Sequence, residues 1–283
     1  MKVETFFDKA TFTLTYIVYD SKTKDSILID PVLDYDPGSS KVSTASVEKV
    51  SNFIKENGLK LHFIMETHAH ADHLSGAQEL KKRFPNAKLV IGEKITLVQD
   101  TFSKAFNFKG FKSDGSQFDK LLKDGEIVEA GSIKIKVIAT PGHTPACTSF
   151  LIEDMIFTGD SLFMPDSGTG RCDFPAGDAS IMYDSITNKL YKLPDTTKVF
   201  TGHDYQPGGR DLMYQSTIGE EKEKNIHLKK NTNRDAYIEF RTSRDKTLAA
   251  PGLLLQSIQV NINAGNFPPK EDNGASYLKI PIK

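Results

Sequence analysis

Apolar and polar positions along the chain switch repeatedly between a period of two and helical spacing. "FTLTYIVYD" (12–20) and "DSILID" (25–30) predict two strands around a short polar turn, and Pro31 closes the second. "SVEKVSNFIKENG" puts Val47, Val50 and Phe53 or Ile54 at helical spacing, with Gly58 as C-cap. "LKLHFIMET" (59–67) predicts a buried strand. "DHLSGAQELKKRFP" predicts a helix with Leu74, Ala77 and Leu80 on one face, stopped by Pro85, and "AKLVIG" a further strand. Residues 103–125 have weak periodicity and read as a loop with at most a short helix.

Strand signals resume at "EIVEA", "IKIKVIAT", "TSFLIE" and "MIFTGD" with no long helix between them. "DASIMYDSITNKLYKLP" predicts an amphipathic helix, and "KVFTGHD" the last core strand. Beyond it, "EEKEKNIHLKK" and "RDAYIEFRTSRDKTLA" predict solvated helices, and "YLKIPI" a final strand. Strands alternating with helices, without repeats or low-complexity tracts, predict a layered α/β domain.

Length and charge narrow the picture. A chain of 283 residues can bury a large core. Its 36 Lys and Arg nearly cancel 37 Asp and Glu, so no global field favours nucleic acid or an anionic membrane. No apolar run approaches the ~18 residues of a membrane span, and the polar start "MKVETFFDKA" is unlike a secretory signal. Cys147 and Cys172 are too few for a disulfide scaffold and fit a reducing cytoplasm, although a single bridge between them stays open.

The candidate chemistry lies where strands end. Three of the seven histidines and one aspartate fall within six consecutive positions, His68, His70, Asp72 and His73 in "ETHAHADHLSG". His143 follows a strand in "TPGHTP", Asp160 ends "MIFTGD", and His203 ends "KVFTGHD". Strand ends are where α/β folds present ligand-binding groups. Imidazoles and carboxylates at this density repel or strain one another unless a cation joins them, and they are the ligands of zinc, iron and manganese. His62 and His227 lie outside this pattern and read as capped or surface residues.

"THAHADHLSG", "PGHTPA", "TGDSLF" and "TGHDY", in this order, resemble the motif set of the metallo-β-lactamase superfamily. The resemblance implies a four-layer αββα sandwich with a metal site at one edge. It implies a catalytic domain over 1–233 and a C-terminal helical or extended extension over 234–283, packed on the domain or on a partner subunit. In two-metal members His68, His70 and His143 would hold one ion and Asp72, His73 and His203 the other, bridged by Asp160.

Such a pair of zinc ions would activate water against a thioester or lactone, as in the hydroxyacylglutathione hydrolases. A single iron would use two imidazoles and a carboxylate, leaving open positions for dioxygen. "DSGTGRCDFPAGD" (166–178) resembles the GxGRxDF signature of the persulfide dioxygenases and tips the choice towards iron. "VQDTFSKAFNF" and "PPKEDNGASYLKIPI" extend the likeness to bacterial members of that branch.

What this branch implies is a cytoplasmic dioxygenase, a homodimer, oxidising glutathione persulfide or a similar thiol persulfide to sulfite. Fe(II), one per chain, would sit on His68, His143 and Asp160. His70, Asp72, His73 and His203 would form a second site or support the first. Asp72 and Tyr205 are the candidates for a catalytic part. Arg171 and Tyr205 are the candidates for binding substrate, with a salt bridge from Arg171 to Asp173 as the alternative. The competing readings are a zinc hydrolase, with one or two Zn(II) per chain, and a non-enzymatic sensor or binding module. Cys147 and Cys172 read as packed small residues.

Overall fold

The computed structural model describes residues 1–282. Fifteen strands and seven α-helices follow one another among the described residues. The first half holds β1 (Lys2–Asp8), β2 (Thr13–Tyr19), β3 (Asp25–Ile29), β4 (Val32–Asp36), β5 (Lys41–Ser43), α1 (Ala45–Glu56), β6 (Lys60–Glu66), β7 (Leu74–Ser75), α2 (Ala77–Arg83), β8 (Lys88–Gly92), α3 (Ile95–Ala105) and β9 (Lys120–Leu122). The second half holds β10 (Ile127–Ala130), β11 (Ile133–Ala139), β12 (Thr148–Ile152), β13 (Met155–Phe157), α4 (Ala179–Asn188), β14 (Lys198–Phe200), β15 (Gln215–Thr217), α5 (Ile218–Lys224), α6 (Arg234–Asp245) and α7 (Leu254–Asn261).

Two six-stranded sheets face each other, in the orders β1-β2-β3-β6-β8-β9 and β10-β11-β12-β13-β14-β15. The period of two assigns each apolar residue to a layer. Leu14, Tyr16 and Val18 of β2 and Ile27 and Ile29 of β3 point between the sheets, meeting Ile135, Phe150 and Phe157 from the second sheet. The intervening Ile17 and Leu28 point outward, into a core shared with α1, α2, α3 and α7. On the far face of the second sheet, Ile156 and Val199 pack against Met182 and Ile186 of α4 and Tyr237 of α6. These three cores make the chain a four-layer αββα sandwich. Among the described residues no helix is long and apolar enough to cross a membrane.

Several local expectations change. The helix expected from Asp72 begins only at Ala77, because Leu74 and Ser75 pair with Leu33 and Val32 as a strand. His68 to His73 therefore lie in an irregular loop between two strands, free of helical geometry. The segment read as loop from 103 begins inside α3, whose Ile95, Val98 and Phe102 are buried. The helix expected over 220–230 stops at Lys224, and residues 277–282 form no strand. Edge strands β1 and β15 and the eight-residue α7 add elements that the period analysis passes over.

Beside β15, Glu221 of α5 is fully buried and accepts hydrogen bonds from Ser216 and Asn225. Burial raises its carboxyl from 4.5 to about 7. The native state then holds a proton that the unfolded chain releases, so this contribution is complete below 4.5 and fades as pH rises through 7. Glu221→Gln removes the titration. Between pH 4.5 and 7.5 the variant should gain about 2–3 kcal/mol on the wild type, measured by urea unfolding at each pH.

Candidate metal centre

Four chain segments meet at one edge of the sandwich. The loop after β6 carries His68, His70, Asp72 and His73; the turn after β11 carries His143. Asp160 follows β13 and His203 follows β14. All seven side chains predicted from the sequence converge here. Asp160 is central: its carboxylate lies 3.8 Å from His68 Nε2, 3.6 Å from His143 Nε2 and 3.4 Å from His203 Nε2. His203 Nε2 is also 3.5 Å from Asp72.

The protons on His143 and His68 follow from their neighbours. His143 Nδ1 meets the Arg171 carbonyl at 2.7 Å, and a carbonyl only accepts, so Nδ1 carries the hydrogen. For His68, the Thr67 hydroxyl already donates to Asp30 at 2.8 Å, so it accepts from His68 Nδ1 at 3.0 Å. Both Nε2 atoms are left with lone pairs directed at Asp160, the arrangement by which outer groups fix metal-binding histidines. Burial, with further pressure from His70 and His143, holds His68 well below the ordinary imidazole range, which favours the neutral ring.

The remaining side chains are tied to other groups. His70 Nε2 stands 3.0 Å from Asp30 and 3.4 Å from Glu66. Burial opposes charge on His70, but these carboxylates outweigh it and raise its pKa. Asp72 meets His73 Nδ1 at 2.9 Å and the Thr13 hydroxyl at 3.1 Å. Burial would raise its carboxyl, yet His203 and His73 drive it well below the ordinary range.

The donor set fits a cation. His68 Nε2, His70 Nδ1, His73 Nε2 and Asp160 Oδ1 are buried without hydrogen-bond partners. Each such group left unsatisfied costs about 1–3 kcal/mol, so their convergence needs a compensating ion. His68, His143 and Asp160 form one compact ligand set, and His70, Asp72 and His203 another. Asp30, Glu66 and His70 form a third group, in which two carboxylates flank an imidazole already used by the second.

Backbone at the centre is closely packed. A Cβ on Gly170 would lie 1.9 Å from the Asp160 carbonyl oxygen, so only glycine lets the "GTGRCDF" segment run against Asp160. The same segment supplies the Arg171 carbonyl that orients His143.

The site opens into a cavity of about 920 Å³ reached by Asp72, His143, Asp160, Arg171 and Tyr205. Tyr205 is half exposed, and its ring stacks on His203 at 5.4 Å between centroids. Arg171 lines the wall as an ion pair: it donates to both oxygens of Asp173 and to the Ala249 carbonyl. That is the salt-bridge alternative raised for it above.

Both cysteines are buried and free, and burial pushes the Cys147 thiol up to about 12 and Cys172 higher still. His62 pairs with Asp25, and His227 accepts the Thr169 amide hydrogen. The supporting Thr13 and Asp30 lie outside every motif, and Glu66 and Thr67 only precede the first histidine of theirs; tertiary contact alone reveals what the four do.

Residues 9–203 match the sequence profile of the metallo-beta-lactamase superfamily. The chain belongs to this superfamily. Within it the chain stands in the persulfide dioxygenase-like branch. Human mitochondrial persulfide dioxygenase ETHE1 is 32% identical over 78% of this chain and 74% of its own. The crystal structure of ETHE1 from Myxococcus xanthus superposes with a TM-score of 0.75 at 32% identity, covering 94% of this chain and 100% of that one. A relative of higher identity carries another name: Glyoxylase B2 of Dictyostelium discoideum is 50% identical over 99% of this chain and 97% of its own. The two compact donor sets differ from the two-metal pattern implied by the resemblance: Asp160 stands with His68 and His143 in place of His70, and His70 stands with Asp72 and His203 in place of His73.

A methyl group at position 170 tests the close packing. Gly170→Ala must displace the Asp160 backbone, and denaturant unfolding should show a loss of about 1–3 kcal/mol. An unchanged unfolding midpoint would show that the segment yields freely.

Proposed function

We propose that the protein is an Fe(II)-dependent dioxygenase that oxidises glutathione persulfide, or a similar low-molecular-weight persulfide, to sulfite and thiol. The observation that carries this reading is the coupling of "GTGRCDF" to the candidate ligands. Arg171 of that segment fixes the His143 tautomer, and Gly170 packs on Asp160. The segment that resembles the dioxygenase signature thus shapes the ligand set instead of lying beside it. The likeness to persulfide dioxygenases over most of the chain supports the same reading.

His68, His143 and Asp160 would hold the iron as two imidazoles and one carboxylate. Fe(II), when bound, would supply the redox chemistry that joins persulfide to dioxygen. The chain's part is to hold the donors in one protonation state and to shape the cavity. Thr67 and the Arg171 carbonyl keep both Nδ1 atoms protonated and both Nε2 atoms free. Asp72 is hydrogen-bonded to His73 and Thr13 and stands 3.5 Å from His203, and Asp72 and Tyr205 face the cavity where a substrate hydroxyl, thiol or proton can be met.

The overall reaction balances as RSSH + O2 + H2O → RSH + H2SO3. The sulfane sulfur loses four electrons to dioxygen, and the S–S bond breaks with the thiol as leaving group. Proximity of the two reactants within one site supplies much of the advantage. No side chain need form a covalent bond to sulfur.

A second reading rests on the other ligand set. His70, Asp72 and His203 provide the donors for a second ion, which suits a dinuclear zinc hydrolase of a thioester or lactone. The name of the Dictyostelium relative points the same way.

Oxygen uptake separates the two. Anaerobically iron-loaded protein should consume dioxygen with glutathione persulfide and release sulfite. Asp160→Asn should lower that rate by at least ~100-fold, because a neutral amide replaces the carboxylate of the ligand set. No uptake by folded, iron-replete protein would refute the dioxygenase.

A further inference from the structure

We infer that Asn261, from the C-terminal extension, is a positioning residue that sets the backbone of the ligand loop. The inference rests on the metal-centre reading above but not on which metal is bound or which reaction follows. Asn261 ends α7, about 190 residues beyond the loop it meets. Its side chain is buried against that loop. Nδ2 donates to the carbonyls of His70 and His73, both at 2.8 Å, and Oδ1 accepts from the Ser75 amide at 2.8 Å.

One amide thereby holds three backbone groups spread over six residues that contain His70, Asp72 and His73. His70 and His73 lie in irregular backbone with no ladder or helix of its own to satisfy their carbonyls, and Ser75 ends the two-residue β7. Only an amide fits. Aspartate would keep the bond to Ser75 but set a carboxylate against two carbonyl oxygens, and an apolar side chain would leave all three groups unpaired.

The anchor is itself held firmly. Ile258, Val260 and Ile262 are fully buried in the outer core. Gln99, also fully buried, donates to the Ile262 carbonyl at 2.8 Å and accepts from the Gly115 amide at 2.9 Å. Gln78 donates to the Ala264 carbonyl at 2.7 Å. Through these contacts α7 is rigidly joined to the helices that cover the first sheet. The position of the ligand loop is therefore specified partly by a segment that carries no ligand.

Cobalt(II) binding to the full chain tests this. Titration would give affinity, and the visible ligand-field bands would report geometry independently of turnover. Asn261→Ala and Asn261→Asp should each weaken cobalt binding by about tenfold or more and alter the bands, as loss of outer support does at metal sites. Ile258→Val, on the same helix but outside the loop contact, should lower the melting temperature and leave affinity and bands as in wild type. Native affinity and bands in both Asn261 variants would overturn the inference. So would equal disturbance by Ile258→Val, or failure of both Asn261 variants to fold, since either would make the role purely structural. A wild-type chain that binds no cobalt would instead overturn the metal-centre reading, and this inference with it.

Discussion

Asp160 stands 3.4–3.8 Å from three imidazoles that arrive from three separate strand ends. These groups are nearly shut off from water, and several of their polar atoms have no partner in the protein. Such a cluster is unstable unless a cation balances it. Much of the surrounding architecture answers that one constraint. The two sheets bring the strand ends to a common edge, Gly170 lets backbone approach the carboxylate, and Thr67 and Arg171 fix the imidazole protons.

Asp30 shows how far the support extends. It accepts from the Thr67 amide and hydroxyl and lies beside His70, so one buried carboxylate braces two loop histidines. Glu66 and Ser75 extend the brace to β7, and Asn261 closes it from α7. The ligand loop is irregular, yet it is held from three sides. That arrangement suits a site whose donors must stay in place whether or not the cavity is filled.

The layered fold and the seven clustered side chains were legible in the sequence, because both leave periodic or compositional marks. Alternation in β2, β3 and β11 assigns residues to layers, and histidine density at strand ends marks the site. Other parts leave no such mark. Strand β1 is only partly buried and its pattern is mixed; α7 has eight residues and no cap signal. Leu74, Ala77 and Leu80 have helical spacing, but Leu74 pairs with Leu33, and tertiary pairing overrides the local pattern. Asp30, Glu66 and Asn261 are ordinary polar residues until folding brings the loop against them. Arg171 illustrates the converse: its motif was visible, but its bidentate hold on Asp173 was only one of two sequence readings.

On the proposed dioxygenase reading, oxidation would take place at a single ion, with His70, Asp72, His73 and His203 as its surroundings. Metal identity and stoichiometry after anaerobic purification bear on this most directly. The expected result is one iron per chain, with no second ion taken up when more is offered. Two zinc ions per chain, together with turnover of lactoylglutathione, would contradict it.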